Sequence, residues 1–140
     1  MSPDDAEVQF WHHAMSVTAL DNNDANVPDL EPELFSLLQF IKHQPQHTNL
    51  FKRLFIEAGT DIKPQSQWVI LYCMRDLKYP EVQTAVNEWF TAQGGKHLAP
   101  RLMGYISSLN WVYEESPWED ADFFKYHWER EHPGERWPCA

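Results

Sequence analysis

The chain has 140 residues, of which 43% are hydrophobic and 14% aromatic, and its net charge is −10. A chain of this length fits one domain with a core of its own, so neither a structural metal nor a disulfide is needed for folding. The acidic balance disfavours direct binding to a phosphate backbone, which requires a cationic surface. No apolar run is long enough to span a bilayer, and the N-terminus lacks the features of a signal peptide. We therefore expect a cytoplasmic protein that is not bound to a membrane.

The charge is unevenly distributed along the chain. Residues 1–41 contain eight acids and no Lys or Arg, residues 42–111 contain eight bases and five acids, and residues 112–140 contain eight acids and three bases. Both ends are thus acidic around a mildly basic middle. A basic partner is the natural complement of such a surface, although solubility alone also explains many carboxylates.

The first predicted element is a helix from about Pro3 to Leu20, and an acidic loop completes the N-terminal part, residues 1–30. The apolar side chains of this helix that approximate one face are Val8, Trp11, Met15 and Leu20. This spacing predicts that these four residues face the interior.

Three helical hairpins and a short tail follow the first helix. Their bounds are 31–59, 65–95 and 99–132 for the hairpins and 133–140 for the tail. Pro45, Pro80 and Pro117 fall 35 and 37 residues apart, and each lies between two stretches with helical apolar spacing. A proline within a helix costs about 3 kcal/mol, because it removes a hydrogen bond and clashes with the preceding turn. Each proline therefore marks the break within one hairpin.

Local signals set the predicted helix ends. Glu31–Pro32 begins hairpin one, because proline suits the first turn of a helix. Thr48 is the predicted N-cap of the next helix, and Gly59 is its predicted left-handed C-cap. The first helix of hairpin two is apolar on nearly all sides, which predicts a central position. No strand-like alternation of useful length occurs, so we predict an all-α single domain, folded as an α-α superhelix or an irregular helical bundle.

The segment from Met74 to Phe90, MRDLKYPEVQTAVNEWF, resembles the turn and second helix of a HEAT-like repeat. The shared features are an Asp near the end of the first helix, a Pro-Glu-Val start of the second, and small and apolar residues at Ala85 and Val86. A repeat length of about 37 residues is also similar to that class. Hairpins one and three share the proline spacing but lack the Pro-Glu-Val start. The resemblance implies a scaffold that binds other macromolecules.

The sequence contains no motif that assembles an active site. Its histidine pairs are His12 with His13, His43 with His47, and His127 with His132. The first pair is adjacent, Pro45 interrupts the second, and zinc needs three or four convergent ligands. Cys73 lies in an apolar run, where a reactive thiolate is not expected. We predict no metal, no cofactor and no enzymatic activity; the alternative is a metal-dependent or hydrolytic enzyme that uses His and Asp/Glu residues.

A weaker alternative is a nucleic-acid-binding protein that uses central basic residues. These residues are Lys42, Lys52, Arg53, Lys78 and Arg101. The acidic segments on both sides of them oppose this alternative, because they repel phosphates.

The candidate partner-binding site lies in the C-terminal third, where four of the seven tryptophans accompany eight acids. Trp118 falls in the first turn of a predicted helix, where exposure is expected, and Trp is enriched at binding hot spots. The candidate residues are Glu114, Glu115, Trp118, Glu119, Asp120 and Asp122. They would form an aromatic anchor inside an acidic rim; the alternative role of the acids is to stabilise the start of the helix.

These observations favour a small acidic protein-binding module without catalysis, which blocks a basic partner. Its most concrete form is an immunity protein or antitoxin that inhibits a toxin. Such a protein presents carboxylates where a nuclease expects phosphates, and its charge speeds capture of the partner. The aromatic content would also suit a homodimer interface, so the oligomeric state stays open.

Overall fold

The computed structural model describes residues 1–25, 27–114, 129–130 and 132–135. All regular structure in these ranges is helical, so the predicted all-α fold is confirmed. The α-helices in residues 1–114 are α1 Pro3–Asn22, α2 Val27–Lys42, α3 Thr48–Gly59, α4 Gln67–Leu77, α5 Pro80–Ala92, α6 Gly95–Leu98 and α7 Met103–Val112. Single 3₁₀ turns, Pro45–His47 and Pro100–Leu102, precede α3 and α7. Within the described ranges, no helix is both long enough and apolar enough to cross a bilayer.

The inward face of α1 differs from the predicted one. The fully buried residues of α1 are Ala6, Phe10, Ala14 and Val17. Val8 and Met15, which were expected to face the interior, are 70% and 62% exposed, and Leu20 is also exposed. The prediction was therefore wrong for Val8, Met15 and Leu20, whereas Trp11 is partly buried against the core. The physical reason is that α1 is apolar on two sides, and its alanines let the helix backbone approach its neighbours closely while Phe10 fills the core.

The helix α2 begins earlier than Glu31–Pro32, so that prediction was also wrong. Pro32 lies inside α2, in its second turn. Leu30 is fully buried one turn before Leu34. Burial of Leu30 extends the apolar stripe toward the N-terminus, and it stabilises the helix in spite of the hydrogen bond that Pro32 cannot donate.

The predicted caps at both ends of α3 were wrong. Thr48 is the first helical residue, and its hydroxyl donates a 2.7 Å hydrogen bond to the carbonyl of Pro45, while His47 is the N-cap. Gly59 is the last helical residue and does not have a left-handed backbone. A Cβ at Gly59 would lie 3.0 Å from the hydroxyl of Tyr105, which donates a 2.8 Å hydrogen bond to the Gly59 carbonyl. Gly59 is therefore suited to the close approach of α7, a contact that periodicity does not reveal.

The central position predicted for α4 is confirmed. Every residue from 69 to 75 is buried, and the helix packs on α1, α2, α3 and α7. The buried Ser66 caps it, since its hydroxyl oxygen lies 3.3 Å from the N–H of Trp68. The same hydroxyl donates a 2.7 Å hydrogen bond to Asp21, and the N–H of Ser66 donates a 3.0 Å bond to the hydroxyl of Thr18. These bonds join the start of α4 to the last turns of α1.

The helices form an irregular bundle. Lys78 ends α4 with a left-handed backbone, and Pro80 begins α5, so the break predicted at Tyr79–Pro80 is confirmed. The most extensive packing joins α1 with α2, α3 with α5, and α4 with α7. The helices α2 and α3 contact each other less, as do α4 and α5. The structure thus differs from a row of hairpins that are each packed on themselves, because the helices of hairpins one and two pack mainly on helices outside their own hairpin.

Two glycines are expected to respond oppositely to alanine. Gly94 has a φ of 99°, and a Cβ there would lie 2.3 Å from the Cβ of Leu98. Gly104 lies in α7, and an added Cβ would meet no atom within 4 Å. We expect Gly94→Ala to lower the free energy of unfolding by about 1–3 kcal/mol. Gly104→Ala should raise it by about 0.5–1 kcal/mol, because alanine restricts the unfolded chain.

Urea unfolding of the two variants at one pH and temperature measures this difference. Because both substitutions add the same methyl group, each variant serves as the control for the other. A Gly94→Ala protein as stable as Gly104→Ala would contradict the described turn after α5.

Candidate functional site

The predicted partner-binding residues fall largely beyond the part of the chain that the structure describes. Glu114 is described: it follows α7, its side chain is exposed, and its N–H donates a 3.0 Å hydrogen bond to the carbonyl of Trp111. The residues outside the described ranges are Glu115, Trp118, Glu119, Asp120 and Asp122. The predicted second helix of hairpin three lies there as well, apart from residues 129, 130 and 132.

A groove between α4 and α7 lies close to Glu114. It has a volume of about 360 Å³. Its lining residues are Trp68, Leu71, Arg75, Ser107, Ser108, Trp111 and Val112. The guanidinium of Arg75 lies 4.7 Å from the ring centroid of Trp111, a cation–π contact. The groove therefore offers an aromatic and apolar surface. Its lining residue Val112 precedes Glu114, the first carboxylate of the predicted site, by two residues in the chain.

Amide side chains fix the rotation of α7, and with it the position of this groove. Asn87 donates a 2.8 Å hydrogen bond to Asn110, which returns a 3.1 Å bond. Gln83 donates a third bond, also 3.1 Å, to Asn110. At the end of α7, the hydroxyl of Tyr113 donates a 2.8 Å hydrogen bond to the carbonyl of Tyr79. Because these bonds hold one side of α7 against α5, the groove lies on the side that faces α4.

Carboxylates of the protein itself engage several central basic residues. The ion pairs are Lys42 with Asp76 at 3.3 Å, Lys52 with Glu81 at 3.2 Å, and Arg53 with Glu7 at 2.9 Å. A backbone hydrogen bond and the contact with Lys52 hold the pKa of Glu81 below its ordinary value. Such exposed pairs add little stability, but they reduce the positive potential of the surface. Three of the five residues of the nucleic-acid alternative are engaged in this way.

Exposed carboxylates elsewhere in the described ranges form no ion pair with a described cation. They are Asp4, Asp5, Asp24, Asp29, Asp61, Glu88, Glu114 and Glu135. They lie on several elements of the bundle, so the negative potential does not depend on one helix. A surface of this kind attracts cationic proteins over a distance of about 8 Å, the Debye length at physiological ionic strength.

The histidines that the structure describes do not converge. His13 Nδ1 lies 2.8 Å from Glu33 Oε1, and His13 Nε2 lies 3.0 Å from the amide nitrogen of Gln9. His47 Nε2 lies 2.8 Å from the carbonyl oxygen of Met1. The exposed histidines are His12, His43, His97 and His132, and His127 lies outside the described ranges. Among the described residues, no group of three or more His, Cys, Asp and Glu side chains could hold a metal ion.

Titratable side chains lie buried in the core, among them those of Cys73, Tyr72 and Glu31. Burial raises the pKa of the Cys73 thiol above its ordinary value of 9.0, so the thiol stays protonated at neutral pH. Tyr72 donates a 2.7 Å hydrogen bond to the buried carboxylate of Glu31. Burial and this bond raise the pKa of Tyr72 above its ordinary value of 10.0. Glu31 is one of the eight acids of residues 1–41, and the neighbouring apolar Leu30 is the sequence signal that this turn faces inward.

The described surface carries eight exposed carboxylates that pair with no described cation, and carboxylates attract cationic groups. In the groove, the ring of Trp111 already contacts the guanidinium of Arg75. No protein-family model, no curated protein and no solved structure matches the chain in the three comparisons made.

Proposed function

We propose that this protein is a small acidic binding module of the cytoplasm, without catalytic activity, that blocks a basic partner protein. The observation that carries the proposal is the imbalance of surface charge. Carboxylates of the protein engage three of its central cations, whereas eight exposed carboxylates have no cation paired with them in the described ranges. Electrostatic attraction to such a surface raises the rate of encounter with a cationic protein.

The contact with the partner is proposed to lie at the C-terminal cluster. This cluster is Glu114, Glu115, Trp118, Glu119, Asp120 and Asp122. Lys and Arg side chains of the partner would pair with its carboxylates, and Trp118 would be the buried anchor. The groove between α4 and α7 supports this placement, because it provides apolar surface beside Glu114. A toxin whose own substrate is anionic is the partner that this chemistry suits best, so an immunity protein or antitoxin is the most concrete form of the proposal.

Affinity capture from native lysate tests the proposal. The full-length protein is immobilised and capture is compared at about 0.15 M and about 1 M salt, where the Debye length falls from about 8 Å to about 3 Å. We expect one basic protein in stoichiometric amount at the lower salt, and its loss at the higher salt. Mass spectrometry identifies the bound protein. No bound protein, or self-association that does not respond to salt, would contradict the proposed function.

A further inference from the structure

The first helix carries a second apolar face, which the bundle does not use. We name it the outer stripe of α1, and its residues are Val8, His12, Met15 and Ala19. Steps of four, three and four residues place them on one side of the helix. Val8 and Met15 are largely exposed, although a single exposed apolar side chain would need no explanation. Two of them, one heptad apart on one side of a helix, form a surface of the kind that packs against another helix.

Polar pairs flank the buried side of α1, away from the outer stripe. Glu7 pairs with Arg53 of α3 at 2.9 Å, and His13 lies 2.8 Å from Glu33 of α2. These contacts attach α1 to two of its neighbours, while the side opposite the stripe is fully buried. Polar side chains of α1 itself, Asp4, Asp5 and Ser16, lie next to the stripe, so it is an apolar centre with a polar rim, the arrangement found in protein interfaces.

The charge around the stripe indicates which partner it fits. Asp4 and Asp5 are exposed one turn before Val8, and residues 1–41 contain eight acids without Lys or Arg. A second copy of this chain would bring two such acidic segments together, which like-charge repulsion disfavours. A helix with apolar residues on one side and Lys or Arg residues at its edges is complementary to both the stripe and its surroundings.

We infer that the outer stripe of α1 is a docking surface for a basic amphipathic helix of a partner protein. The inference rests on the proposed function, because it takes the partner to be basic, and it adds a second contact site to the one proposed at the C-terminal cluster. α1 spans about 30 Å, which is enough for five turns of a helix lying along it. Apolar residues of that helix would cover Val8 and Met15, and its cations would lie near Asp4 and Asp5.

A peptide-binding experiment tests the docking surface. The probe is a fluorescent peptide of Lys, Leu and Ala, about 18 residues long, with Leu at helical spacing; the control peptide has the same composition in scrambled order. We expect the amphipathic peptide to bind the full-length protein at least about tenfold more tightly than the scrambled one. The double variant V8Q/M15Q should weaken binding at least about tenfold, whereas L98Q/M103Q should leave it unchanged. Leu98 and Met103, 79% and 36% exposed, are the matched control because they are apolar and lie on α6 and α7, which do not pack extensively on α1.

Several results would overturn the inference. Equal affinity for the two peptides would show that charge alone governs binding, and an unchanged affinity of V8Q/M15Q would show that the stripe is not used. A dimer that V8Q/M15Q converts to a monomer would identify a second copy as the occupant. The two proposals are tested separately. Lysate capture by the wild-type protein tests the proposed function, whereas the peptide experiment tests whether the outer stripe of α1 is a docking surface. Capture of the same basic protein by V8Q/M15Q at wild-type yield would refute only the docking surface.

Discussion

The substitution Phe10→Ala is expected to lower the free energy of unfolding by about 3–5 kcal/mol. Phe10 is fully buried on the inner side of α1. Its ring lies edge-on to Phe55 with centroids 5.0 Å apart, and 6.3 Å from Phe51 in a stacked arrangement. Truncation would remove these contacts and leave a cavity between α1 and α3, because a close-packed core relaxes only partly.

The matched control is Val8→Ala, two residues away on the exposed side of the same helix. We expect a change within about 0.5 kcal/mol, since the side chain is on the surface and alanine is the better helix former. Urea unfolding followed by circular dichroism measures both variants. A loss of stability from Val8→Ala as large as that from Phe10→Ala would contradict the described orientation of α1, because it would show that Val8 faces the core.

The second large effect is expected at high pH. Tyr72, Cys73, Tyr79, Tyr105 and Tyr113 all have a pKa raised above the ordinary value, mainly by burial. For Tyr79 the raised pKa is about 12. In the unfolded chain these groups lose their protons near 9.0 for Cys and 10.0 for Tyr, whereas the folded protein retains them. Their contribution to stability is therefore fully present below these values and is lost as the pH rises toward the folded pKa values.

Each such group lowers the free energy of unfolding by at most about 1.4 kcal/mol per pH unit in that range, and the half-buried tyrosines contribute less because water screens them. A typical domain has only about 5–15 kcal/mol of stability. We therefore expect cooperative unfolding above about pH 10. Urea midpoints measured at half-unit steps from about pH 8 upward test this. The variant Tyr79→Phe should make the decline less steep, and an unchanged stability across the whole range would contradict the described burial of these groups.

Features that depend on local chemistry could be predicted from the sequence. Pro45 and Pro80 mark real breaks, because a missing N–H and a fixed φ disfavour the interior of a helix; Pro32 is the exception, since α2 continues through it. The central position of α4 was also predictable, since a helix that is apolar all round must be covered on all sides. Gly94 follows α5 with a positive φ, a backbone that glycine adopts without strain.

Features that depend on a distant partner could not be predicted in the same way. α1 has two apolar sides, and only the position of Phe51 and Phe55 decides which of them is buried. Gly59 has a glycine-specific role because Tyr105, 46 residues away, approaches its backbone. A sequence pattern contains the spacing within one helix but not the order in which helices pack.

The candidate site also combines features that the sequence could predict with features that depend on how the helices pack. Glu114 is exposed, as a rim residue of the proposed site must be, and the other five residues of the cluster remain predictions. The groove beside it was not anticipated, because Trp68 and Trp111 were assigned to separate hairpins and their proximity depends on the packing of α7 on α4. Val8 and Met15 of the outer stripe belong to the apolar pattern that predicted a core face, because periodicity does not distinguish a core face from a docking face.

The most direct test of the binding function compares two charge-neutralised proteins in the lysate capture. One carries Gln or Asn at the five carboxylates of the C-terminal cluster, E114Q, E115Q, E119Q, D120N and D122N. The other carries the same number of changes at exposed acids elsewhere, D24N, D29N, D61N, E88Q and E135Q, so both have the same net charge. The account predicts that the cluster variant loses the basic partner at about physiological salt while the control variant retains most of it. Equal capture by the two proteins would contradict it, because charge would then act without a defined contact site.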